Sequence, residues 1–475
     1  MSIEDQETDV VIVGAGSSGL ATALTAGAGG ARVTVVEKLS MVGGTSLFAE
    51  GMFAVESAIQ DREHVGLTKD EAFKRHMMGT HWRANATLVR GFIDRSADTI
   101  DWLRGMGVAF ADVIPLWPDG PRTWHIVKGG GKSLIGALAE AAKRSGVRLL
   151  LGTPFVELMV DEQNRVVGIV AQGEDGHPIR IAARCVVLSA GGFTSNKEML
   201  AAHTNAVPGA RPVLDLHQTG EVIENAWKAG AASGGCALLS IPCVVGEDPH
   251  SHLWAAGIQP HLWINKLGRR FCDESVYFQF PYSANALANQ KDGVMYCVFD
   301  EPAKKAMVEE GIPIGLGVFV PPGAKLGNLD EKLSIGIERG TAFSEDSLDA
   351  LAERLNIEGR TLQATVSEYN GQCAARHDGL FAKAPAFLRP IRDAKFYAIK
   401  SSYHIFTTLG GIRINPETAV LGSGHDVIPG LYATGNCASG LYGEDYEVFS
   451  SGGALGFAIG SGRIAGESVL KYLGR

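Results

Sequence analysis

Three glycines spaced Gly14-x-Gly16-x-x-Gly19 follow directly on a short β-branched run, Asp9 to Val13, and lead into a stretch of small residues, Leu20 to Ala28. That spacing suits a phosphate-bearing ligand. Gly14 permits a tight turn, Gly16 lets the backbone approach a pyrophosphate, and Gly19 lets the following helix pack closely on the strand. The helix N-terminus then faces negative charge. A second strand, Val33 to Val36, ends at Glu37, which lies 21 residues past Gly16. A carboxylate at that point accepts hydrogen bonds from a ribose. Together these residues predict a β–turn–α–β unit, parallel and right-handed, holding a dinucleotide.

The elements that must position this turn are legible in outline. A helix is predicted over 132–146 and a strand over 148–151. Strands over 155–160, 166–172 and 179–183 suggest a small antiparallel sheet, with Asp161–Arg165 and Gly173–His177 as turns. A separate buried strand is expected at 185–189 and a helix at 219–230. From about 242 to 400 aromatics and prolines increase, and Ser344 to Ala375 reads as two helices around Asn356-Ile-Glu-Gly. A buried strand returns at 428–434, and 452–472 reads as a long final helix. The expected fold class is α/β: a Rossmann-type nucleotide-binding domain built from 1–241 and 401–475, interrupted by an α+β cap at 242–400.

Composition narrows the function. The chain has 475 residues and a formal net charge of −9, with no basic stripe, which argues against nucleic acid as a partner. No uninterrupted apolar run approaches the roughly 18 residues of a membrane span. The acidic N-terminus lacks the basic and apolar regions of a signal peptide, so a cytoplasmic location is expected. The seven cysteines are scattered without a C-x-x-C pair, so no metal site or redox dithiol is expected. Cys437 is the one in a glycine-flanked segment. Lys128-Gly-Gly-Gly-Lys-Ser133 lacks the spacing of a P-loop.

Further motifs carry a resemblance. They are Glu37-Lys38, Gly43-Gly44-Thr45, Glu50-Gly51-Met52, Ser189-Ala-Gly-Gly192 and Asn265-Lys-Leu-Gly-Arg-Arg-Phe-Cys-Asp-Glu274. Thr408-Leu-Gly-Gly411, Ile428-Pro-Gly-Leu-Tyr432 and Gly462-Arg-Ile-Ala-Gly466 follow in order. Over nearly its whole length the chain resembles the flavoprotein family of fumarate reductases, succinate dehydrogenases and 3-ketosteroid dehydrogenases. The resemblance implies FAD, a cap closing over the isoalloxazine, and hydride transfer between flavin N5 and a C–C bond next to a carbonyl. It also implies a cofactor-binding set: Gly14, Gly16, Ser18, Gly19, Glu37, Lys38, Gly44, Thr45, Ser46, Gly51, Met52, Val156, Ala190, Gly191, Glu221, Asn436, Gly453 and Leu455. The amides that open the final helix would stabilise charge at the flavin N1–O2 edge. Residues 43–54 contain no histidine, so a non-covalent cofactor is expected.

The chain departs from the fumarate reductase pattern where a dicarboxylate would bind. Phe278 stands in place of the proton-donating arginine, Phe406 and Thr407 in place of paired histidines, and Ser450 in place of a further arginine. A dianion there would be buried without partners, which is costly. Gly435-Asn436 instead resembles the ketosteroid dehydrogenase branch. The expected substrate is therefore neutral and ketone-bearing, desaturated or, in reverse, reduced. Tyr277, Tyr282, Tyr403, Tyr442 and Tyr446 lie in the pocket-forming segments, and a tyrosine there can give or take a proton. Tyr277, Tyr446 and His404 are the catalytic candidates; the alternative for each is a packed ring with a satisfied polar atom. Glu444, Asp445 and Glu447 read as a solvated turn or as a repulsive mouth for anions. Two other functions stay open: reduction of an unsaturated acid held by Arg122, Lys128 or Lys132, and a flavin electron-transfer subunit. Electrons would pass to or from a separate acceptor or donor.

Overall fold

The computed structural model describes residues 4–173, 175–444 and 446–475. The chain divides into two compact units. One comprises 1–205, 214–239 and 407–475, and the other 206–213 and 240–406.

The first unit is built on a sheet whose spine is parallel. Its strands run in the order Ala419–Leu421, Val427–Ala433, Pro178–Leu188, Glu4–Val13, Val33–Val36 and Arg148–Leu150. Val10 to Val13 pair in register with Val33 to Val36 on one side and with Cys185 to Leu188 on the other. Side chains on both faces of this run are buried, so it is apolar without alternation. The stretch read as two strands, 179–183 and 185–189, is one strand, Pro178–Leu188. It is continuous because its edges serve three partners, with Leu431 to Ala433 pairing parallel with Val186 to Leu188. Pro178 to Ala182 pair antiparallel with Gly168 to Gln172, while the whole strand pairs parallel with Glu4–Val13.

The helices Ser17–Ala28 and Gly453–Leu473 lie against each other through small residues. A Cβ at Gly462 would stand 2.3 Å from Ser18 O, and one at Gly466 would stand 2.5 Å from Thr25 Cβ. Side chains there would force the helices apart. Val10, Ile12, Leu20, Leu24, Val35, Leu138, Val187 and Ile459 form the common core, each such side chain stabilising by roughly 1.5–3 kcal/mol.

The second unit has its own sheet and core. Strand Val294–Asp300 pairs antiparallel with Leu262–Asn265 and with residues 396–402 of the strand Phe396–Ile412. Leu262, Ile264 and Val298 pack with Leu351, Leu362 and Val366 of the helices Leu348–Leu355 and Gly359–Ala375. Asn356 between those helices is left-handed, at φ 54°, a conformation asparagine tolerates. The excursion 206–213 was not expected: Arg211–Pro212 adds a two-residue strand beside His404–Ile405.

Candidate active site

The carboxyl ends of the parallel strands open onto a groove, where open α/β sheets bind ligands. Gly14, Gly16, Ser17, Ser18, Glu37, Lys38, Gly43 to Ser46, Ser189 to Gly191, Gln218 and Asn436 are among its lining. Backbone bonds draw these turns together: Gly14 N–H donates to Val36 O at 2.8 Å and Ser189 N–H to Val13 O at 2.8 Å.

The three glycines of the turn are required for different reasons. Gly14 sits at φ +105°, and a Cβ there would stand 2.5 Å from Ser189 O. A Cβ at Gly19 would stand 2.0 Å from Gly14 O. Gly16 has ordinary extended backbone, φ −74° and ψ −177°. The nearest atom to a Cβ there is Gly43 O at 3.8 Å. The protein itself would admit a side chain at 16; the space it would fill is the groove.

Glu37 braces the turn as well as facing the groove. Its Oε2 accepts from Ala15 N–H at 2.8 Å and its Oε1 from Leu39 N–H at 2.9 Å. Each oxygen keeps a second lone pair for a ribose hydroxyl. Lys38 Nζ donates to Glu221 Oε1 at 2.9 Å and to His217 O. Burial raises the Glu221 carboxyl, and hydrogen bonds from Thr219 and Lys38 more than offset this, leaving it below its ordinary value. Glu221 therefore acts on the groove through Lys38.

Of the other expected residues, Thr45, Ser46, Ala190, Gly191 and Asn436 line the groove. Asn436 Nδ2 donates to Thr407 Oγ1 at 2.9 Å. Gly51, Met52, Gly453 and Leu455 are buried, and Val156 is 49% exposed on the strand Phe155–Val160. Ser17 and Gln218 line it without having been expected. Ser17 follows from the motif, since Ser46 Oγ reaches it at 2.8 Å; Gln218 carries no sequence signal.

A second cluster precedes the final helix. Tyr442 and Tyr446 stack obliquely, ring centroids 4.8 Å apart, and His76 lies 5.8 Å from Tyr442. The Tyr442 hydroxyl is buried with the Tyr446 hydroxyl as its polar neighbour, and makes no bond of hydrogen-bond geometry. It stands 2.7 Å from the position of a Cβ on Gly453, the first residue of helix Gly453–Leu473. Burial pushes Tyr446 up to about 12, with Tyr442 and the Ala454 amide opposing the rise. Glu447 is not on a solvated turn. It is buried, and its Oε1 lies 2.8 Å from His76 Nδ1. It also accepts from the amides of Phe449 and Ser450. Asp445 lies outside the described residues.

Tyr277 and His404 belong to the second unit. Tyr277 is buried edge-on to Trp263, and its hydroxyl has no hydrogen-bond partner. The neighbouring Trp254 indole N–H is directed to Pro242 O at 3.0 Å. His404 Nδ1 lies 3.0 Å from Ser402 O, and burial lowers its pKa. Phe278 packs on Phe387, ring centroids 5.6 Å apart.

Residues 9–451 match the family model of the FAD binding domain. The chain belongs to that family. It is 31% identical to the vinyl phenol reductase of Lactiplantibacillus plantarum, over 98% of this chain and 96% of that one. It is 27% identical to a cytochrome fumarate reductase of Shewanella frigidimarina, over 98% of this chain and 77% of that one. The solved structure of 3-ketosteroid-Δ4-(5α)-dehydrogenase from Rhodococcus jostii superposes with a TM-score of 0.76 at 25% identity, over 99% of this chain and 98% of that one.

This flavoprotein is an FAD-dependent oxidoreductase acting on CH–CH groups. The groove fits FAD by its own chemistry: an open cradle at Gly16, a helix N-terminus for the pyrophosphate and a carboxylate for the ribose. Cys437 is no nucleophile. Its Sγ lies 3.1 Å from Leu188 O and from Thr434 O, and burial pushes the thiol up to about 11. Arg122 is paired with Glu63, while Lys128 and Lys132 are exposed. Among the described residues no helix is long and apolar enough to cross a membrane.

Proposed function

We propose that this enzyme reduces a carbon–carbon double bond conjugated to the oxygen of a neutral ring substrate, either an enone or a vinyl-bearing phenol. The carrying observation is the Tyr442 hydroxyl, which is buried, makes no bond of hydrogen-bond geometry and lies beside the start of the final helix. A buried hydroxyl without a partner costs roughly 1–3 kcal/mol, and a substrate oxygen would relieve that cost. It is also an uncharged donor, suited to an uncharged ligand. The cation of the same cluster, His76, is already paired with Glu447. Similarity to a vinyl phenol reductase at 31% identity supports the reductive direction.

In both substrate classes the reacting carbons exchange charge with the ring oxygen. A ketone oxygen gains negative charge as hydride arrives. A donor at the ketone oxygen stabilises that charge; at a phenol the same hydroxyl accepts from the O–H while the vinyl carbon takes a proton and hydride follows. The hydride is the chemistry that bound FAD supplies, and a separate carrier provides the electrons. Tyr446, kept protonated by burial, is the proposed proton donor to carbon. It ranks above Tyr277 and His404 because it touches Tyr442 and shares a unit with the cofactor groove.

The test is anaerobic mixing of chemically reduced holoenzyme with a panel of cyclic enones, 4-vinylphenol, fumarate and other unsaturated acids. Reoxidation by a neutral member is expected, with Tyr442→Phe raising KM about tenfold or more, the loss of roughly 1.4 kcal/mol of binding. Reoxidation by the acids alone would overturn the proposal and favour the unsaturated-acid reading, which the 27% likeness to a fumarate reductase supports.

A further inference from the structure

We propose that His76 is a positioning residue of this reaction, holding the segment 441–450 in place as a doubly protonated imidazolium clamped between Leu441 O and the Glu447 carboxylate. The proposal rests on the role given to Tyr442 above. The geometry fixes the first proton and offers the second a place. His76 Nε2 lies 2.7 Å from Leu441 O, a group that only accepts, so Nε2 carries a hydrogen. Nδ1 lies 2.8 Å from Glu447 Oε1, an ion-pair contact in which the doubly protonated ring places its second hydrogen. Ser450 Oγ is 2.9 Å from the same Nδ1. Facing an N–H, that hydroxyl accepts, and its own hydrogen turns away.

The clamp spans the segment. One ring nitrogen holds its start at Leu441. The other holds Glu447, whose oxygens accept from Phe449 N–H at 2.8 Å and Ser450 N–H at 3.1 Å. Tyr442 lies between these anchors, against the His76 ring. The side chains of His76 and Glu447 are both 0% exposed, so water does not compete for these bonds. Among the described residues, the titratable groups facing the imidazole are Glu447 and Tyr442, with Tyr446 behind Tyr442. Burial alone would lower the His76 pKa. The Glu447 carboxylate and Leu441 carbonyl outweigh it and hold the pKa above its ordinary value. The clamp is therefore complete at low pH and is lost as pH rises through that raised pKa.

The test uses full-length holoenzyme carrying 15N-histidine, with the His76 resonances assigned by their change in Glu447→Gln. Both His76 nitrogens should read as protonated at pH 7. In Glu447→Gln the His76 titration should move down by at least one pH unit, because the side-chain amide can donate to a neutral Nδ1. The alkaline limb of kcat/KM for the neutral alkene should move with it. His76→Gln should raise KM at least tenfold and abolish that limb. A singly protonated His76 at pH 7, or a pH profile identical in wild type and Glu447→Gln, overturns the clamp. Tyr442→Phe without effect on KM, beside intact imidazolium resonances, would instead overturn the reading of Tyr442. A neutral His76 beside an impaired Tyr442→Phe enzyme would overturn the clamp alone.

Discussion

Arg270 in the second unit and His76 in the first are both buried cations, and their surroundings differ in kind. Arg270 donates to both oxygens of Glu274 at 2.9 Å, to Asp378 at 2.8 Å and to Gln372 at 2.8 Å. Its guanidinium lies 5.1 Å from the ring centres of Tyr369 and Phe381. Lys383 completes the group, its Nζ 3.1 Å from Glu274, 3.0 Å from Tyr369 and 2.7 Å from His261 O. Two cations face two anions, and the guanidinium keeps its charge at any ordinary pH. His76 is a cation only while its ring holds both protons. The first network is a permanent strut, while the second is conditional on pH.

The largest expected effect breaks the strut. Arg270→Ala leaves Glu274 and Asp378 buried beside a single lysine, and should cost about 3–5 kcal/mol. Calorimetric unfolding measures this, and a loss below 1 kcal/mol would mean the network is not structural. Glu447→Ala should cost less, about 1–3 kcal/mol, because the orphaned histidine can shed its proton. A loss equal to that of Arg270→Ala would erase the distinction.

The pH dependence separates the pair further. Burial raises the Asp378 carboxyl, but Arg270 and the amides of Leu380 and Phe381 lower it to about 2. Its contribution is present above the unfolded value of 3.8 and is lost as pH falls through about 2. His76, with its pKa raised, contributes fully below its unfolded value of 6.5 and loses that contribution on the alkaline side. Melting temperature against pH should show an acid limb that Asp378→Asn flattens and an alkaline limb that Glu447→Gln flattens. Either substitution flattening the wrong limb would contradict the assignment.

The smallest change in stability calibrates both. Gly16→Ala touches neither network and meets no protein atom closer than 3.8 Å. It should shift stability by about 0.5 kcal/mol or less. FAD affinity should still fall about tenfold, roughly 1.4 kcal/mol. Unimpaired FAD binding in a titration of the apoprotein would place the pyrophosphate elsewhere.

The nucleotide turn was legible because its chemistry is local. Gly14, Gly16, Gly19 and Glu37 fall within one supersecondary unit, and each glycine has its own steric reason. The strand 178–188 was split in reading because Arg184 interrupts the apolar pattern; pairing on two edges carries the strand across it. Glu447 was misread for a deeper reason. Its partner His76 is 371 residues away in sequence, and no periodicity links a histidine on helix Lys69–Gly79 to an acidic turn before the last helix. The excursion 206–213 was hidden similarly, since a two-residue strand leaves no pattern.

The groove is lined from Gly14 to Ala458. On the ribosome, the turn that recognises the pyrophosphate emerges early, but Asn436 and Ala458 follow only after the whole second unit has been made. A nascent chain cannot finish its groove until that insertion is complete and the last helix has docked on the first. Flavin loading therefore has to wait for the whole second unit and the final helix to be made.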